Sequence, residues 1–523
     1  MQDQQLWPRS SGILLHLSSL PGGHGIGDLG PAAHAFVDFL AAAGQRWWQL
    51  LPISPVGKGN SPYMPLSVFA GSPLFISLER LAAEGLLGAK DLKPGTALTP
   101  LRVRYPAVVR FKRGRLFRAF TAFERDGGAA ARASLAAFCE AQGAWLPEYA
   151  LYASLRRRCG GRPWTTWDPA ARRRRPAALR RLRRDLGAEI SFRIFLQYTF
   201  HRQWEELRRR CACRGIGLIG DLPIYVALES ADVWANQELF LLDASGLPTH
   251  VAGVPPDYFS STGQLWGNPL YRWEVLRERG YDWWLARFRR AFAHVDAVRL
   301  DHFIGFCRYW EVPGRARTAR HGRWVEGPGA RLFEAALAAL GPRRFIAEDL
   351  GIITKEVAAL RDRFGFPGLR VLQFGFGGEA GSAYHLPHSY PRRCVVYTGT
   401  HDNDTIAGWF ARAESASPRQ GRRQRQRERA LALRYLGLPE TARRDLHWAM
   451  VSVAMMSVAD VAIVPMPDLL GLGSEARMNV PATARGNWEW RLPQGAWSAE
   501  LAARLRLLTE TYGRLPGGDL PPP

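Results

Sequence analysis

The decapeptide from Asp296 to Gly305, DAVRLDHFIG, sets Arg299 two residues before a carboxylate, Asp301, at the end of an apolar run. Side chains on a strand alternate with period two, so Arg299 and Asp301 share a face. A guanidinium beside an aspartate favours the ionised carboxylate, the form that attacks an electrophilic carbon. The same pair also makes a structural ion pair on a strand end, and these residues alone do not separate the two readings.

Other apolar runs end the same way. RFIAEDLG at 344–351 breaks at Glu348, CVVYTGTHDND at 394–404 at His401 and Asp402, and IGLIGDLPIY at 216–225 at Asp221. Runs without a terminal acid occur at Ile13 to His16, Trp47 to Leu51, Leu369 to Phe374 and Val461 to Val464, giving eight in all. Continuous apolar runs predict strands buried on both faces, as in a parallel sheet covered by helices. Helical patterns separate most of them, for instance Ala32 to Ala43, Lys355 to Phe364 and the Arg-rich Arg422 to Leu436. Eight strand-then-helix units predict an α/β fold, a (β/α)8 TIM barrel, with its active site where the strands end.

Uneven spacing marks insertions within one catalytic barrel spanning 1–523. Residues 74–210, rich in Ala, Leu and Arg, are read as a mainly helical insertion between strands 2 and 3. Residues 223–283 are read as an aromatic-rich loop insertion between strands 3 and 4, carrying VPPDYFSSTGQLWGNPLY. Loops leaving that face of a barrel build the substrate cleft. Tyr258, Phe259 and Trp266 are therefore candidate stacking surfaces, although a small core under a long loop would use the same residues.

Composition excludes several classes. The start, MQDQQLWPRS, lacks the basic and apolar regions of a signal peptide, and no apolar stretch is long enough to span a bilayer. A cytoplasmic protein without a membrane partner is expected. The six cysteines have no paired metal-ligand spacing beyond a lone CxC at Cys211 and Cys213, so free thiols and no metal site are expected. The formal charge of +23 raises nucleic acid as a partner. Only five of the 70 basic residues are lysines, however, a lopsided choice that fits a genome-wide codon bias. The densest arginine run, 172–184, falls in the helical insertion, and no phosphate-loop, zinc-finger or RNA-recognition signature accompanies it. No nucleic-acid partner is expected.

Three acids on one barrel rim beside aromatic residues suit glycosyl transfer. One carboxylate attacks the anomeric carbon, and a second, kept protonated, donates to the leaving oxygen. Aromatic faces suit the apolar faces of sugar rings. Motifs along nearly the whole chain resemble the 4-α-glucanotransferases known as amylomaltases or disproportionating enzymes, relatives of the α-amylases. They are HLSSLPGGHGIGDLG at 16, WWQLLPISP at 47, SPYMPLSVFAGSPLFI at 61, GDLPIYVALESADVWA at 220, AGVPPDYFSSTGQLWGNPLYRW at 252, VRLDHFIG at 298, AEDLG at 347, YTGTHDNDT at 397 and EARMNVPAT at 475.

The resemblance implies roles. Asp301 would be the nucleophile, Glu348 the general acid and then base, and Asp402 the residue that stabilises the transition state. Arg299 would keep Asp301 ionised, Asp221 and His401 would hold the donor sugar, and Tyr63 would stack beneath it. Tyr258, Phe259 and Trp266 would cover the cleft and hold the acceptor. The implied reaction is retaining transfer of an α-1,4-glucan segment from a maltodextrin to the 4-hydroxyl of glucose or another maltodextrin, with minor hydrolysis and no cofactor. The alternative is an α-1,4-glucan hydrolase, in which water resolves the intermediate. The sequence leaves the oligomeric state open, and a monomer is compatible with it. Ser72 and Ala482 stand where the family pattern has asparagine and glycine. Gly377 and Lys58 leave the acceptor preference and a second glucan site open.

Overall fold

The computed structural model describes residues 7–256, 262–378, 381–415, 419–439 and 445–515, with side chains described for all of these except 413–415 and 419–422. Tyr258 and Phe259 lie outside the described residues. In chain order the strands are β1 (Ser10–Leu14), β2 (Trp47–Gln49), β3 (Gly217–Pro223), β4 (His250–Val254), β5 (Gln264–Pro269) and β6 (Ala297–Asp301). They continue with β7 (Arg308–Pro313), β8 (Arg323–Glu326), β9 (Arg344–Ala347), β10 (Gly368–Val371), β11 (Cys394–Tyr397) and β12 (Val461–Pro465).

Eight of them close a parallel barrel in the order β1, β12, β11, β10, β9, β6, β3, β2. These are the eight apolar runs read from the sequence. Their boundaries move by a few residues: the run at Leu369 leaves the sheet after Val371 and tightens into the 3-10 turn Leu372–Phe376.

The pleat decides which side chains face the barrel axis. Leu14, Trp47, Ile219, Ala297, Ile346, Leu369, Val395, Tyr397, Val461 and Ile463 pack together inside the barrel. Their strand neighbours Leu218, Val298, Leu300, Phe345 and Val396 belong to the larger core shared with the helices. Trp47 fills the interior tightly enough to dictate its neighbours. A Cβ on Gly12 would lie 2.5 Å from the Trp47 Cβ, and one on Gly217 would lie 2.4 Å from its indole. The indole N–H donates to Ser10 Oγ at 3.0 Å.

Between β2 and β3 the chain forms a run of helices that includes Tyr105–Asp126, Ala129–Ala141, Leu146–Arg158, Pro176–Asp185 and Gly187–Cys213. The last of these packs on β3 and on the helix Pro31–Ala42, in the position of a barrel crossover helix. Arg180, Arg181 and Arg184 project into solvent from Pro176–Asp185 and Arg183 donates to Glu148 at 2.7 Å, while Ala178, Leu179 and Leu182 pack inward.

The sequence reading missed a second, four-stranded antiparallel sheet in the order β5, β4, β7, β8, built from segments on either side of β6. Trp266 therefore sits on strand β5 and not on a loop. The strands HVAGV and QLWGNP are short and broken by glycine, and the register between them shifts at Val251/Gly253. Such segments carry little strand periodicity.

Candidate active site

The parity that turns Ile219, Ala297 and Ile346 inward also turns inward the residues two and four positions on. Asp221 follows Ile219, Arg299 and Asp301 follow Ala297, and Glu348 follows Ile346. Since β3, β6 and β9 are consecutive barrel neighbours, these four side chains meet at one end of the barrel. The Arg299 Nη1 donates to Asp221 Oδ1 and Oδ2 at 2.8 and 2.7 Å and to Asp301 Oδ1 at 2.9 Å. The Asp221 carboxylate is fully buried, whereas Asp301 remains 28% exposed to the cleft.

Burial alone would lower the Arg299 pKa, yet the charges of Asp221 and Asp301 lift it well above the arginine range. Burial raises the Asp221 carboxyl, and Arg299 pulls it the other way. Glu348 is different. Burial and the charge of Asp301 push it up to about 8, against the opposing pull of Arg299. Its carboxylate accepts the peptide N–H of His302 at 2.6 Å and of Leu350 at 3.3 Å. The site thus pairs a carboxylate salt-bridged to arginine with a carboxyl that keeps its proton at neutral pH, the division of labour that glycosidic chemistry requires.

His401 and Asp402 lie beyond the end of β11, in a turn where Thr400 N–H donates to Asn403 Oδ1 at 2.8 Å. The His401 ring stacks on Tyr63, with centroids 5.0 Å apart and planes 14° apart. The Tyr63 hydroxyl donates to Asp221 Oδ2 at 2.7 Å, and burial followed by the Asp221 charge raises its pKa well above the usual phenol value. His401 Nε2 lies 3.4 Å from Asp402 Oδ1. Tyr63, Asp221, Arg299, Asp301, Glu348, His401 and Asp402 are thus brought together. Trp266 reaches the same site, its ring edge-on to His302 at 4.8 Å.

Sequence reasoning missed several residues that hold these groups. Asn479 Nδ2 donates to Asp402 Oδ1 at 2.6 Å, and Arg477 Nη2 donates to the Asp402 carbonyl at 2.5 Å. The Asn479 N–H returns to the His401 carbonyl at 3.1 Å, and Trp488 packs on both Tyr63 and His401. Asn479 lies in EARMNVPAT, and only the motif, not any single residue, carried a signal. Cys211 is buried and Cys213 exposed, so the CxC pair does not converge on one ligand. Among the described residues one cluster could offer metal ligands, His24, Asp28 and Glu79. The Lys112 ammonium already sits 2.6 Å from Asp28 Oδ2 there.

A sequence profile of the family described as 4-alpha-glucanotransferase matches residues 15–496. The chain belongs to the 4-alpha-glucanotransferase family. A 4-alpha-glucanotransferase of Thermus thermophilus is 46% identical over 513 residues, covering 97% of this chain and 99% of the relative. One from a Synechocystis species is 46% identical, covering 97% and 98%. Among solved structures, an amylomaltase from Streptococcus agalactiae in complex with acarbose superposes with a TM-score of 0.91 at 35% identity, covering 97% of this chain and all of that one. These relatives place the enzyme among glucan transferases and do not favour the hydrolase alternative.

Proposed function

We propose that this 4-alpha-glucanotransferase works by double displacement with retention, Asp301 as nucleophile and Glu348 as acid and base. The observation that carries the reading is the sharing of Arg299 by Asp221 and Asp301 on adjacent strands, beside a Glu348 that holds its proton. In the first step an Asp301 oxygen bonds to the anomeric carbon as the bond to the leaving 4-oxygen breaks, and Glu348 gives that oxygen its proton. In the second, Glu348 takes the proton of an acceptor 4-hydroxyl, whose oxygen displaces Asp301. Asp402 binds hydroxyls of the distorted ring, Asp221 and His401 hold the donor sugar, and Tyr63 underlies it. Trp266 covers the acceptor side and excludes water.

The substrates in this reading are maltodextrins, with glucose or another maltodextrin as acceptor, and neither cofactor, metal nor nucleic acid takes part. The chain acts in the cytoplasm as one catalytic unit, with 74–210 and 223–283 as insertions framing the cleft. Among the described residues no helix is long and apolar enough to cross a membrane. Incubation with maltotriose tests reaction and substrate together: longer oligomers should appear along with glucose. Asp301→Asn should abolish both products while leaving the thermal melt unchanged. Unaltered transfer in that variant would remove the nucleophile assignment.

A further inference from the structure

His302 follows the nucleophile directly and adopts a left-handed backbone, with φ of 52°. For a residue other than glycine, asparagine or aspartate this conformation costs on the order of 1 kcal/mol, and it persists only where the surroundings impose it. Phe303 returns to the right-handed helical region, with φ of −55°. The two residues present consecutive peptide N–H groups to the neighbouring strand end. Both N–H groups here point at Glu348: that of His302 reaches Oε2 at 2.6 Å, and that of Phe303 reaches the backbone carbonyl at 3.0 Å.

Glycine adopts this conformation without strain and histidine is among the few other residues found there, so the use of the ring is read from its contacts. The imidazole packs edge-on against Trp266 on β5, with centroids 4.8 Å apart and planes 87° apart. Trp266 in turn touches Tyr225 at 6.2 Å. Gly305 also lies close to the imidazole, where a Cβ would be 3.0 Å from His302 Cδ2. The ring is clamped between the turn that carries the nucleophile and the strand that carries the acceptor-side tryptophan.

We propose that His302 is a positioning residue whose ring, seated against Trp266 on β5, holds its own peptide N–H on the Glu348 carboxylate. The inference rests on the assignment of Glu348 as acid and base. With the Trp266 contact in place the turn is fixed and the N–H stays on Glu348; without it the turn loosens and the carboxylate loses a donor. The charged and titratable groups that face Glu348 are Arg299 and Asp301 from β6, its neighbour Asp349, and Tyr397 from β11. The imidazole itself adds no charge near neutral pH, since burial lowers it to about 4.

An N–H donated to a carboxylate favours its ionised form, so loosening that bond raises the Glu348 pKa. The test is the pH dependence of kcat/KM for maltotriose disproportionation, whose alkaline limb reports the acid of the free enzyme and is insensitive to weaker sugar binding. His302→Asn keeps the peptide N–H and tolerates the left-handed backbone but removes the ring. Trp266→Ala removes the other partner. Each should move the alkaline limb upward by about one pH unit, the scale of one charge-assisted hydrogen bond. The double variant should move it no further than either single one, because both break one contact. Trp266→Phe, which retains an aromatic partner, should leave the limb in place even where KM rises. An unmoved limb in both single variants, or additive shifts in the double, overturns the proposal. If His302→Asn does not fold, the Trp266 pair decides alone. Glu348→Gln separates the positioning role from the acid role: full transfer activity in that variant would remove the acid assignment itself, whatever the limb does.

Discussion

A carboxyl raised from 4.5 to about 8 ties the chemistry of Glu348 to the stability of the fold. At neutral pH the folded chain holds a proton there that the unfolded chain has released. Stability from the neutral carboxyl is therefore fully present below 4.5 and is lost progressively as pH rises through about 8. Each tenfold difference in proton affinity between the folded and unfolded chains is worth roughly 1.4 kcal/mol, so the loss between pH 5 and 8 amounts to about 3 kcal/mol. That figure is an upper one, because Glu348 is half-buried and water screens part of the cost. Glu348→Gln retains an oxygen to accept the His302 N–H and cannot ionise. Its stability relative to wild type should therefore climb with pH by up to that amount, while transfer falls by about 10²- to 10⁴-fold through loss of the acid. Urea unfolding midpoints of the two proteins at pH 5, 6, 7 and 8 measure the first effect, and maltotriose turnover measures the second. A stability difference that stays flat across this range would refute the elevated carboxyl and, with it, the physical basis for choosing Glu348 as the proton donor.

Two further substitutions probe the residues that hold the site. Asn479→Ala removes a 2.6 Å donor from Asp402, whose side chain is 46% exposed, so solvent recovers part of the loss. The low end for a hydrogen bond to a charged group, about 1.5 kcal/mol, predicts a roughly tenfold fall in kcat with little change in melting temperature. A change under about twofold would show that Asp402 is placed by other contacts. Ala482 occupies a left-handed position, with φ of 64°, where the family pattern has glycine. Ala482→Gly relieves about 1 kcal/mol of strain but loosens the unfolded chain by nearly as much, leaving up to about 0.5 kcal/mol of net stabilisation. A denaturation midpoint that falls would show that the turn is not strained.

How much of this was legible in the sequence follows from which physical effects leave a local trace. Strands buried on both faces must be apolar along their length, and period two fixes the direction of every side chain once one is known to face inward. Spacing alone therefore puts Arg299 and Asp301 on a common face, and the Arg299 contact to Asp301 at 2.9 Å follows from that pleat. The bond from Arg299 to Asp221 joins residues 78 positions apart and required the strand order, which no local pattern encodes. The four-stranded sheet was hidden for the same reason: β4 pairs with β7 across the whole of β6, so its stability comes from distant partners and not from its own sequence.

The supporting residues were hidden for a different reason. His302 serves Glu348 through a peptide N–H, a group every residue except proline possesses, so its identity says nothing about the bond it makes. What the side chain reveals is only the cost, a histidine where glycine would be easier, and that cost becomes visible only once the backbone angle is known. Asn479 contributes both its amide and its own N–H, and the latter is equally silent in the sequence. The carboxylates proposed for the chemistry are thus readable from type and spacing, because the proposed reaction demands their functional groups. The groups that set their geometry and proton affinity act largely through the backbone, and only the folded chain exposes them.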